Sequence, residues 1–124
     1  MPEKPHQPSP ETWLHILFGD DNGGGHLAGQ GFEGKTEFPE YWTLTRIESA
    51  VLTIQEQALS ADVQDHRVFF DGLVDGVLIR VVFAFDHNGR HSLKTAFPLR
   101  GNGVFKNING DRVSMPLLRQ DRRK

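Results

Sequence analysis

Apolar positions along this chain change period once, and the change separates a helical first part from a stranded second part. Ser9-Pro10-Glu11 has the form of a helix start: a capping hydroxyl, proline at the first helical position and an acid in the first turn. This helix is expected to run to about Phe18 and to stop at Gly19. On its wheel Trp13, Leu14, Ile16, Leu17 and Phe18 spread over one broad side, with His15 opposite. Gly19 to Phe38 reads as loop with one short strand. Trp42 to Leu59 is the strongest helical pattern, with Leu44, Ile47, Val51, Ile54 and Ala58 recurring at three and four residues. Thr45 and Glu48 have capping-box spacing, and the helix is expected to serve as core scaffold.

After Ser60 to His66 the period shortens. Val68-Phe69-Phe70 predicts a short strand and Val74-Asp75-Gly76 a turn. Val77, Ile79, Val81, Phe83 and Phe85 then alternate with Leu78, Arg80, Val82 and Ala84, a long strand buried on one face and partly on the other. Asp86-His87-Asn88-Gly89 is a hairpin turn that returns the chain through His91 to Phe97. Gly101 to Gly110 predicts a further hairpin or ordered loop. Helices first and antiparallel strands after them define an α+β fold, and no segment repeats.

At 124 residues the chain is expected to form one domain over residues 11–118, between a proline-rich linker or tail at 1–10 and a basic tail at 119–124. No apolar run is long enough to span a bilayer, and the first residues lack the apolar core of a signal peptide. Without cysteine there are no disulfides and no thiolate metal sites. A net charge of −2 argues against a broad basic surface, so a phosphate-bearing ligand would have to be met by a local patch.

The densest chemical signal lies between these halves. Seven of the thirteen glycines fall from Gly19 to Gly34, where a backbone must turn left-handed or approach a ligand. His15 precedes them, His26 stands inside them, and Lys35 follows in Gly34-Lys35-Thr36-Glu37-Phe38-Pro39. Two imidazoles titrate near neutral pH and so provide a base and an acid, while an ammonium supplies fixed positive charge. That set can cleave a phosphodiester without metal or cofactor. Two other readings use the same residues: a metal site of His15, His26 and Asp20 or Asp21, and a binding module without catalysis. His66, His87 and His91 stand in turn or strand-edge positions and are expected at the surface. Lys94 is an alternative to Lys35, but strand alternation places Lys94 and its neighbour Thr95 on opposite faces.

The order of these residues resembles the EndoU family of endoribonucleases, most closely its small bacterial members. The family pattern of H-x-x-x-G, a glycine-flanked second histidine, a lysine and a late T-x-Y/F-P reads here as His15 to Gly19, Gly24 to Gly29, Lys35, and Thr95-Ala96-Phe97-Pro98. The bacterial G-K-T-x-F-P with a following tryptophan matches Gly34 to Pro39 and Trp42. The likeness covers about Trp13 to Leu99; Phe97 stands where many relatives carry tyrosine, and Ala28-Gly29 tightens the second motif. It implies an EndoU or barnase-like nuclease fold. It also implies transphosphorylation of single-stranded RNA, at uridylates or a tRNA loop, to a 2′,3′-cyclic phosphate. His26 would be the base, His15 the acid and Lys35 the electrostatic stabiliser. Gly24, Gly25, Thr95 and Phe97 would bind substrate, Phe97 by stacking on a sugar or base. With two histidines at work, a bell-shaped rate profile is expected, its maximum between about pH 5.5 and 7.5. The resemblance further implies a monomeric toxin or effector domain acting in a target-cell cytoplasm with an immunity protein as partner. A stand-alone cytoplasmic nuclease is the alternative.

Overall fold

The computed structural model describes residues 9–20, 23–85, 87–88 and 91–118. The expectations for the proline-rich start, Asp21, both ends of the Asp86–Gly89 turn, the side chain of His91 and the basic tail fall outside them.

Helix α1 spans Pro10–Phe18 and forms as its residues dictate. The Ser9 hydroxyl accepts from the Thr12 N–H at 3.2 Å, and Gly19 ends the helix at φ 82°. Only Ile16 and Leu17 are buried, with Trp13 packed beside them; Leu14 and Phe18, one turn apart, are exposed. The buried stripe is therefore narrower than the wheel suggested. Helix α2 spans Leu44–Gln57 and buries Ile47, Ala50, Val51 and Ile54. Its cap is Thr43, whose hydroxyl accepts from the Arg46 N–H at 3.1 Å. The Thr45–Glu48 capping box is thus corrected: Thr45 already lies inside the helix. Trp42, before the helix, is buried and stacks on Phe38 with ring centroids 6.1 Å apart.

The strands form two antiparallel sheets. The larger has the order β2 (Ser60–Gln64), β3 (Arg67–Val74), β4 (Val77–Phe85), β5 (His91–Gly101). The smaller has the order β1 (Thr36–Glu37), β6 (Phe105–Ile108), β7 (Asp111–Ser114). β4 has the predicted bounds, whereas β3 and β5 run beyond Phe70 and Phe97 because backbone pairing continues past the apolar residues. β2 carries no apolar signal, being exposed along its whole length and paired through its backbone to β3 alone. The last hairpin turns at Asn109-Gly110, both at positive φ, rather than enclosing all of Gly101 to Gly110. The fold is α+β, with α2 packed on the larger sheet and a core of Ile47, Val51, Ile54, Ile79, Val81 and Ala96 among others. Helix and sheet approach so closely that a Cβ on Gly72 would meet Ile54 Cδ1 at 2.6 Å. Among the described residues no helix is long and apolar enough to cross a membrane.

One buried charge ties the glycine segment to the smaller sheet. The Glu37 carboxylate accepts from Gly29 N–H at 3.0 Å, Gly31 N–H at 2.7 Å and Asn107 Nδ2 at 2.9 Å. Burial alone would raise its pKa; the Asn107, Gly31 and Gly29 donors and the Arg112 charge outweigh burial and hold it below the ordinary value. A carboxylate whose pKa is depressed by folding stabilises the fold above its unfolded value of 4.5 and loses that contribution as pH falls through the folded value. Glu37→Gln is expected to cost about 2–3 kcal/mol near neutral pH, in the range for hydrogen bonds to a charged group. The cost should shrink in strong acid, where the native carboxyl is neutral too. Urea unfolding at both pH values checks this, and an equal cost at each would remove the charge from the explanation.

Candidate active site

The first four residues counted back from the end of any helix carry carbonyls without a partner inside the helix. In α1 three of these are taken by the glycine segment that follows. Gly25, His26 and Leu27 donate their N–H groups to the carbonyls of His15, Ile16 and Leu17, at 3.0, 2.8 and 3.0 Å. The segment therefore runs alongside the last turn of α1, and His26 is held beside the helix that carries His15. So close a run explains Gly24. Gly24, at φ 80°, has no room for a Cβ, which would overlap the His15 carbonyl and come within 3.1 Å of the His15 ring. His15 lies away from Ile16 and Leu17 as the wheel places it, yet only 14% of its side chain is exposed, because this loop covers it.

His26 is 5% exposed. Its Nδ1 lies 2.6 Å from the Thr36 carbonyl oxygen, an acceptor only, so Nδ1 carries the proton and Nε2 keeps its lone pair. The ring stacks on Phe97 with centroids 5.2 Å apart and planes at 23°. Burial, reinforced by the charges of Lys35 and His15, pushes its pKa down to about 4 against the opposing pull of the Thr36 carbonyl and Glu37. His26 is therefore a neutral imidazole at neutral pH. His15 is oriented differently: its Nδ1 faces Asp20 Oδ2 at 2.9 Å, leaving Nε2 available. Asp20 is itself placed by reciprocal backbone hydrogen bonds with Gly23, at 2.8 and 3.1 Å. The sequence offered Asp20 only as a metal ligand; the structure returns it to His15.

A polar cavity of about 560 Å³ brings together His15, His26, Lys35, Gly24, Thr95 and Phe97. Gly25 does not line it, and the space beside its Cα is filled by the Phe32 ring. The Lys35 ammonium reaches to 3.3 Å from the point where a Cβ on Gly23 would sit. Its charge acts on His26. Lys94 and Thr95 both line the cavity, which corrects the expectation that alternation separates them. Thr95 pairs with Val82 and Leu93 with Phe83, so Lys94 is the extra residue of a β-bulge, and a bulge breaks alternation. Among the described residues the buried Thr95 hydroxyl has no hydrogen-bond partner. Arg67, which carried no motif, adds a further cation to the wall, while Glu11 and Asp20 are its acids.

His66 and His87 are exposed, as expected. Among the described residues no three His, Asp or Glu side chains are grouped to hold a metal ion. The arrangement offers a neutral imidazole as proton acceptor, a carboxylate-oriented imidazole as proton donor, and ammonium charge on the same cavity. Compared with family models, with curated proteins and with solved structures, the chain has no match in any of the three.

Proposed function

We propose that the chain is a metal-independent endoribonuclease that cleaves single-stranded RNA by attack of its own 2′-hydroxyl. The observation that carries this reading is the opposed setting of two imidazoles: His26 neutral with Nε2 free, and His15 turned by Asp20, on one cationic cavity. His26 Nε2 takes the 2′-hydroxyl proton, and the 2′-oxygen forms a bond to phosphorus. The bond from phosphorus to the 5′-oxygen breaks, and His15 Nε2 delivers a proton to that leaving oxygen. Lys35 neutralises charge on the equatorial oxygens as the phosphorane forms. Thr95 lines the same cavity, and its hydroxyl, which lacks a partner among the described residues, is assigned to a substrate oxygen.

The motif order shared with EndoU nucleases supports the same chemistry. It extends the proposal to a bacterial toxin or effector domain with a cognate immunity protein, acting on uridylates or a tRNA loop. Brief exposure of RNA to the purified chain in excess chelator, followed by sequencing of the fragment 5′ ends, tests both chemistry and target. Fragments should carry 5′-hydroxyls and 2′,3′-cyclic phosphates at a restricted set of sites. Fragments with 5′-phosphates, or cleavage that ceases with the chelator, would overturn the mechanism.

A further inference from the structure

A second cavity, of about 300 Å³, shares part of its lining with the first. His26, Lys35 and Phe97 line both cavities, so the two spaces adjoin at this stacked ring pair and its neighbouring ammonium. The second cavity is furnished differently from the first. Lys35, Arg100 and Lys106 surround it, and there is no carboxylate among the described residues that line it. This is a marked local excess of positive charge in a chain of net charge −2. The cations arrive from separate sheets. Lys106 stands on β6 opposite Thr36, the residue whose carbonyl holds His26. Arg100 follows a second bulge of β5, where Ile79 pairs with Pro98 and Leu78 with Arg100, leaving Leu99 extra. Leu99 and Met115 supply apolar wall between the charges.

Two cations beside an apolar wall fit a nucleotide, its phosphate on the charges and its sugar or base on the carbons. We infer that the second cavity is a subsite for the phosphodiester next to the scissile one, held by Lys106 beside Lys35. The preferred substrate is then a strand of at least three nucleotides laid past the His26–Phe97 pair. This inference rests on the nuclease reading and adds a preferred substrate length and a direction to it.

The test compares kcat/KM for an RNA dinucleotide, which has one phosphodiester, with trinucleotides extended on the 5′ or the 3′ side. One extension, not both, should raise kcat/KM roughly tenfold or more, the worth of one charge-assisted phosphate contact. In Lys106→Ala the ratio of that trinucleotide to the dinucleotide should fall toward one, and Lys106→Arg should restore most of it. Added salt should erode the ratio in the native protein, as phosphate contacts require. A native ratio near one with both substrates cleaved overturns the subsite while leaving the nuclease standing. So does a ratio that Lys106→Ala leaves intact. No cleavage of any of these substrates overturns the nuclease reading and the subsite together.

Discussion

An RNA in which the scissile nucleotide carries hydrogen in place of its 2′-hydroxyl is expected to resist cleavage altogether. On the proposed mechanism His26 acts as base only if the substrate presents a proton whose loss creates the attacking oxygen. The expected loss is about 10⁶-fold or more, the whole rate enhancement of an enzyme at the low end of the usual range. Binding should survive, because the cations and the Phe97 wall meet groups that the substitution leaves in place. The modified strand should therefore inhibit cleavage of the native one competitively. The measurement is a time course on a strand with a single 2′-deoxy position, and cleavage at that position would sink the mechanism.

Loss of either histidine is the second large effect. His15→Ala and His26→Ala should each lower kcat/KM by about 10²–10⁴-fold, the usual worth of one positioned acid or base. The double variant should lose far less than the product of the two, because acid and base serve a single displacement. Full additivity would assign them to separate functions. The pH profile adds an independent readout. Unperturbed imidazoles would place the maximum between about pH 5.5 and 7.5, but His26 protonates only near pH 4, so the acidic limb should lie correspondingly lower. The buried ring also bears on stability. The unfolded chain protonates His26 around 6.5 and the folded one near 4, so stability is full above 6.5 and declines between these values as pH falls. The decline attributable to this ring is about 3 kcal/mol, at about 1.36 kcal/mol for each pH unit that separates the two protonation midpoints. His26→Ala should be spared that part of the acid loss in thermal unfolding, which also shows whether the variant is folded.

What could be read from the sequence followed from side chains facing a core or closing a turn. Both helices and the bounds of β4 are of that kind, because Ile47, Val51 and Ile54, or Ile79 and Val81, must be inside. β2 left no trace, since its residues are exposed and only its backbone is engaged. Thr43 and Thr45 are equally good caps by type, and only the path of the chain after buried Trp42 decides between them. In the site, the residues His15, His26 and Lys35 were legible by order and spacing. The pairing of Asp20 with His15, the entry of Lys94 through a bulge and the cations of the second cavity were not. Each depends on register between strands or on a loop folding back, which neighbours in sequence do not encode.

The proposed acid, base and principal cation all come from one stretch of sequence, from His15 to Lys35, whose Gly25, His26 and Leu27 are pinned by backbone hydrogen bonds to a nine-residue helix. The surfaces on which a strand would lie come from elsewhere, chiefly β5 and β6. On the proposed reading, reaction and recognition occupy separate parts of the gene. Substitutions at Lys94, Arg100 or Lys106 can then redirect the protein to other RNA targets while the reacting groups stay untouched. A lineage of such proteins would diversify in its strands and hold its N-terminal third nearly constant.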